Sequence, residues 1–183
     1  VDFRGAMIAR DGICINGNIR GKGNNAPHIK LSDGACITVD ENDGIAIYAS
    51  GYGNWQIGAV ELFGATGVGA KMGKLTFQGT KIIATGNFTS LENWENNIES
   101  AGAAFEFDTT DDMDLEIKIK SGEYISRQSY TIIEGGWAHS ASDSQKFTIL
   151  DGKFEGAAGI FYGVTADEIE EQNVAVCGGN FNE

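Results

Sequence analysis

Proline occurs once in the 183 residues, at Pro27, and histidine twice, at His28 and His139. The histidines are far apart and belong to no recognisable Ser/His or Cys/His arrangement, which removes the usual base for nucleophilic catalysis. Cysteine is equally sparse. Cys14, Cys36 and Cys177 are odd in number and widely spaced, with neither the C-x-x-C pairs of a zinc site nor the density of a disulfide framework. Each sits in a strand-like setting, where a buried free thiol is expected; Cys14 and Cys36 are candidates to stack in neighbouring coils.

Positive charge is also scarce. Thirteen Lys and Arg stand against 26 Asp and Glu, for a formal charge of −13. Such a balance opposes binding to nucleic-acid phosphates or to anionic membranes, both of which need clustered cations. No apolar run approaches the ~18 residues of a membrane-spanning helix, and the start carries no secretory signal pattern. The chain reads as an excised or processed domain. No sustained helical period is present either. Two segments are ambiguous: 91–100, after Ser90, is either a short helix or a polar loop, and 166–172, after the N-cap candidate Thr165, either a helix or a charged turn.

What the chain has is glycine, 26 of 183 residues, and a repeat. Ile117-Lys-Ile-Lys-Ser-Gly-Glu-Tyr124, Phe147-Thr-Ile-Leu-Asp-Gly-Lys-Phe154 and Val174-Ala-Val-Cys-Gly-Gly-Asn-Phe181 share one pattern. Two apolar residues alternate with others, a glycine follows three positions after the second, and an aromatic comes two later. The glycines Gly122, Gly152 and Gly179 are 30 and 27 residues apart, a spacing typical of stacked supersecondary units. Period-two alternation points one side chain of each pair of neighbours inward. A lone strand of this kind cannot bury that face, whereas the equivalent strand of the next unit covers it and supplies a parallel hydrogen-bond ladder. Glycine then serves a corner, and Tyr124, Phe154 and Phe181 are expected to form an aromatic column.

Weaker copies lie upstream, at Leu75-Thr-Phe-Gln-Gly-Thr-Lys-Ile82 and, shortened, at Ile13-Cys-Ile-Asn-Gly-Asn-Ile19. Short apolar segments at 37–39, 45–47 and 60–63 separate them, the first followed directly by Asp40 and the last by Gly64. The fold class expected is all-β, a right-handed parallel β-helix of six to eight coils in a single domain over 1–183, with an irregular insertion around 87–114.

The run from Leu115 to Glu183, with its I-x-I-x-x-G-x-Y/F units, Tyr130-Thr-Ile-Ile, Gly159-Ile-Phe-Tyr and the closing G-G-x-F, resembles the right-handed parallel β-helix repeats in large surface proteins of gut Firmicutes. Residues 37–89, with Gly44-Ile-Ala-Ile47, Gly67-Val-Gly-Ala70 and Leu75-Thr-Phe77, are similar to coils of the same family. Phage-fibre β-helices are a second resemblance. Gln78-Gly-Thr80 and Asp151-Gly-Lys153 depart from the surface-protein pattern in lacking its double glycine. The resemblance implies an extracellular or cell-surface location, with the virion surface as alternative, and a role in adhesion or display.

Candidate binding residues are the aromatics in glycine-rich or polar loops: Tyr52 and Trp55 in Gly51-Tyr-Gly-Asn-Trp55, Trp94 in the insertion, and Trp137 after Gly135-Gly136. Exposed beside amides, such rings stack on sugars, so a glycan or a surface protein is the expected partner; the competing reading makes them caps over gaps between coils. The acidic cluster Asp108, Asp111, Asp112 and Asp114 is a Ca²⁺ candidate through oxygen ligands, as is Asp40-Glu-Asn-Asp43, against the alternative of solvated turns; no other cofactor is expected. Glycosidase or lyase chemistry needs paired carboxylates converging in a groove, and no such motif is evident. No catalytic residue is assigned and the protein is expected not to be an enzyme, a polysaccharide-processing fragment being the alternative. Uncapped ends suggest homo-oligomers or end-to-end assembly.

Overall fold

The computed structural model describes residues 1–15, 26–88, 101–108, 114–135, 145–163 and 173–182. Every strand pairing among them is parallel, and no helix occurs among the described residues. The strands fall into three ladders. The first contains β1 (Asp2–Phe3), β4 (His28–Leu31), β7 (Asn54–Ile57), the first half of β10 (Gly73–Ala84), the first half of β12 (Leu115–Ser126), β14 (Gln145–Ile149) and β17 (Asn173–Val176). The second contains β2 (Ala6–Ile8), β5 (Cys36–Thr38), β8 (Glu61–Gly64), the second halves of β10 and β12, β15 (Lys153–Gly156) and β18 (Asn180–Asn182). The third, a separate sheet, contains β3 (Ile13–Ile15), β6 (Ile45–Ala49), β9 (Thr66–Ala70), β11 (Phe105–Asp108), β13 (Tyr130–Gly135) and β16 (Gly159–Gly163). The chain visits the first, second and third ladders in turn and then returns to the first, an order compatible with a β-solenoid.

Register explains the repeat. Ile117 pairs with Phe147 and Phe147 with Val174, so the three motifs are successive rungs of one ladder. Upstream, Leu75 pairs with Ile117 and Phe77 with Ile119, which confirms the weaker copy in β10. The shortened copy does not hold. Ile13–Ile15 belongs to the third ladder and pairs with β6, because its flanking sequence follows β1 and β2 and has already used the first two faces. Alternation sends Leu31, Ile57, Phe77, Ile119 and Ile149 into one continuous core while Lys30, Gln56, Thr76, Lys118 and Thr148 stay outside. Each large apolar side chain buried in this way contributes roughly 1.5–3 kcal/mol, which no single coil supplies without its neighbours.

The corner glycine has a visible reason. Gly152 has φ 145, and a Cβ there would press on the rings of Phe154 and Tyr124 at 3.1 and 3.2 Å. The aromatic two residues on therefore folds back beneath the corner. Tyr124 does the same beneath Gly122 and donates its hydroxyl hydrogen bond to the Ser121 carbonyl at 2.8 Å.

The two helix candidates, 91–100 and 166–172, lie outside the described residues. The cysteines are free, but Cys14 and Cys177 are exposed and Cys36 is partly so, which corrects the expectation of buried thiols. Cys14 and Cys36 occupy the third and second ladders respectively, so they do not stack: short strands place alternate residues outward as readily as inward.

Candidate functional site

A groove runs along the bend between the first and second ladders. It crosses four successive coils, from β4 through β7 and β10 to β12, and encloses a volume of ≈ 730 Å³. That lies within the range of ligand sites. One wall is the outward column Lys30, Gln56 and Thr76, in ladder register with one another. Gln78, Lys120 and Ser121 line the bend itself.

The bend is held open by polar side chains that replace lost ladder bonds. Asp33 Oδ1 accepts the Ala59 N–H at 2.8 Å, and Ser121 Oγ accepts the Gly79 N–H at 3.0 Å. Thr80 is fully buried and donates to the Gly58 carbonyl at 2.8 Å. A Cβ at Gly58 would displace the Asp33 carboxylate from this position. Pairing between β10 and β12 shifts register on either side of Gln78, a bulge that turns both strands through the corner.

The groove's chemistry is amide, hydroxyl and ammonium. Gln56, Gln78 and Lys30 are exposed, and Thr76 is partly so. Amides and hydroxyls both donate and accept, which suits a ligand dense in hydroxyl groups. Asp33 is the carboxylate among the lining residues, and its Oδ1 is engaged by backbone. Acid–base hydrolysis of a glycosidic bond calls for two carboxyl groups about 5–9.5 Å apart.

The aromatic residues singled out from sequence are not in this groove. Trp55 is on β7, not in a loop, and is 1% exposed. Its register partners are Ile29 and Leu75, so alternation carries the ring into the core beside them. Its indole N–H has no hydrogen-bond partner among the described residues. Tyr52 is 8% exposed, packed with Ala26 and Met72 in a small separate cluster. Neither ring is a surface platform, which corrects the expectation that they are exposed in loops. Trp94 and Trp137 lie outside the described residues.

Asp108 ends β11 and Asp114 immediately precedes β12, while Asp111 and Asp112 lie outside the described residues. No group of three or more potential metal ligands occurs among the described residues. In the other acidic turn, Asp40 Oδ1 accepts the Asn42 N–H at 2.8 Å, which holds its carboxyl below the usual range, and Asp43 pairs with Arg10 at 3.1 Å. These are contacts of a closed turn.

Sequence reasoning missed Glu106. It stands in β11 between Gly69 and Ile133 of the flanking strands and is fully buried. Its Oε1 accepts the Thr66 hydroxyl at 2.6 Å and the N–H groups of Ala101 and Ala103 at 2.8 and 3.2 Å. Oε2 has no partner among the described residues. Burial pushes the carboxyl up to about 8, against the downward pull of those hydrogen bonds. Glu106 thus pins residues 101–103 to the third ladder, remote from the groove. A single Glu in Phe105-Glu-Phe-Asp108 carries no sequence signal of this role, since the alternation marks it as an outward residue.

Compared with models of known families, with curated proteins and with solved structures, the chain matches none.

Proposed function

We propose that this chain is a right-handed parallel β-helix acting as a non-enzymatic extracellular or surface module, and that it holds a linear glycan in the groove between its first and second ladders. The observation that carries this reading is the groove itself: polar side chains repeated on consecutive rungs, about 4.8 Å apart along the stack, on a rigid scaffold. A polymer lying along the stack meets an ammonium, an amide or a hydroxyl at each rung. Right-handed crossing follows the strong preference of parallel connections. The resemblance to surface-protein coils supports the location and the role in adhesion or display.

A second reading, a structural segment of a surface or virion fibre, is favoured by core-facing apolar side chains left exposed on the last described strands, with Val176 57% and Phe181 39% exposed although their register partners Ile149 and Phe154 are buried. Continued stacking would cover them.

The test is a broad glycan array with cleavage of the bound oligosaccharides followed in the same samples, with and without Ca²⁺. Saturable binding without cleavage supports the adhesive reading. Cleavage overturns the non-enzymatic one, and absence of binding leaves the fibre segment as the better account.

A further inference from the structure

The outer surface of the second ladder carries two columns whose order has a symmetry of its own. One column runs Ala6, Cys36, Glu61, Lys81, Glu123, Lys153, Asn180, so that charge alternates rung by rung from Glu61 to Lys153. The other runs Ile8, Thr38, Phe63, Ile83, Ile125, Glu155, Asn182, with Phe63, Ile83 and Ile125 partly exposed on adjacent rungs. Within the chain Lys81 and Glu123 are 3.8 Å apart, a loose pair, both partly exposed. An outward apolar column on a soluble sheet is unusual enough to need a reason, and covering by a partner is one.

We infer that this face is a self-complementary interface on which a second copy of the chain docks antiparallel. Two such faces meet about a two-fold axis lying in the interface. With that axis along the strands, each column meets itself in reverse order. Centred between the Lys81 and Glu123 rungs, it sets Lys81 against Glu123 of the second copy and Glu61 against Lys153. Ile83 then meets Ile125, the neutral Cys36 and Thr38 meet Asn180 and Asn182, and the Ala6 and Ile8 rung of each copy lies beyond the six overlapping rungs. Phe63 faces Glu155, whose aliphatic stem covers the ring. Moved half a rung, to centre on Ile83, the axis would place Lys81 on Lys81 and Glu61 on Glu123, which like charges oppose. Turned parallel to the stack, it would lay the charged column on the apolar one. A full-rung shift, to an axis between Glu61 and Lys81, would keep opposite charges facing at those two rungs only, whereas the first register pairs all four charged rungs; it is closed and isologous, so it stops at a dimer.

The contact is small. Strand spacing of ~4.8 Å over six rungs and ~3.3 Å per residue along each strand give about 400 Å² of flat area per copy, against the ~800 Å² of a stable complex. The dimer is therefore weak and depends on concentration and on salt.

Sedimentation equilibrium of the chain from about 10 μM to about 1 mM spans the range in which such an interface populates both species. The expected result is a monomer–dimer equilibrium that shifts toward monomer at high salt. Ile83→Lys is expected to weaken association at least tenfold. Lys81→Glu should weaken it too, and the double exchange Lys81→Glu with Glu123→Lys should restore it, since the facing pair returns with signs reversed and Glu61 still faces Lys153, while the like neighbours it creates within each copy, at positions 61/81 and 123/153, are present in monomer and dimer alike. Lys81 and Glu123 are at the surface, so this exchange stands even where Ile83→Lys fails to fold. A monomer across the whole range, growth beyond the dimer, or a dimer indifferent to the charge exchange would overturn the proposal.

Discussion

Phe154 lies on Tyr124 with ring centroids 5.0 Å apart and planes inclined by 26°, and Phe181 continues the stack at 4.9 Å and 12°. Phe105 joins from the third ladder, its centroid 5.0 Å from that of Tyr124. The second ladder is thus tied to the third through rings that the corner glycines leave room for.

Truncating the middle of that stack should be expensive. Phe154→Ala is expected to cost about 3–5 kcal/mol, the usual loss for a buried aromatic, and Phe154→Leu under about 2 kcal/mol. Gly152→Ala should cost about 1–3 kcal/mol, for the positive φ and the contact with both rings. Urea midpoints at unchanged m-value check all three.

Glu106 makes the fold sensitive to alkali. Its carboxyl ionises at about 8 in the folded chain and at about 4.5 when exposed. Below 4.5 both states are protonated and nothing is lost. Between 4.5 and 8 the unfolded chain gives up the proton that the folded chain keeps, so this group's contribution to stability falls as pH rises through that window and levels off above 8. Glu106→Gln, neutral throughout, should be more stable than the parent at pH 8–9 by on the order of a few kcal/mol, and nearly equal to it at pH 4. Thermal unfolding of the two proteins across pH gives the difference curve; a flat difference would refute the assignment.

Trp55 separates burial from recognition. Trp55→Ala should cost about 3–5 kcal/mol of stability. Trp55→Phe should cost less than about 1.5 kcal/mol, because it keeps a ring in the core and removes an indole N–H that has no partner. Equal midpoints for Trp55→Ala and the parent would mean that the ring is not packed as described.

The downstream motifs were legible because three features coincide in them: inward aliphatic or aromatic pairs, a glycine at a fixed offset, and a ring that needs that glycine. From these alone, the parallel ladder, the positive-φ corner and the aromatic column follow. Ile29-Lys-Leu31-Ser-Asp-Gly34 carries the same I-x-L-x-x-G signature on the same ladder, yet lacks the closing aromatic that made the others visible. Asn54-Trp-Gln-Ile57 was harder still. Its tryptophan beside glycines reads as a recognition loop, whereas the ladder register makes Trp55 the counterpart of Leu75. Residue type suggested exposure, and position decided burial. The groove was illegible for a related reason: Lys30, Gln56 and Lys120 are ordinary outward residues, far apart in sequence, and only stacking brings them into one cleft. Glu106 shows the limit of alternation as a guide, because an outward residue becomes core once another segment covers it.

The most direct test of the central claim is the affinity of a glycan found by array screening for the parent and for the Gln56→Ala/Gln78→Ala double variant, with unfolding midpoints measured alongside. Both side chains are exposed, so the midpoint should move by no more than about 1 kcal/mol. The groove account predicts at least a tenfold loss of affinity in the double variant at unchanged fold, with no oligosaccharide cleaved by either protein. Undiminished binding by the double variant would contradict it and place the recognition surface elsewhere on the molecule.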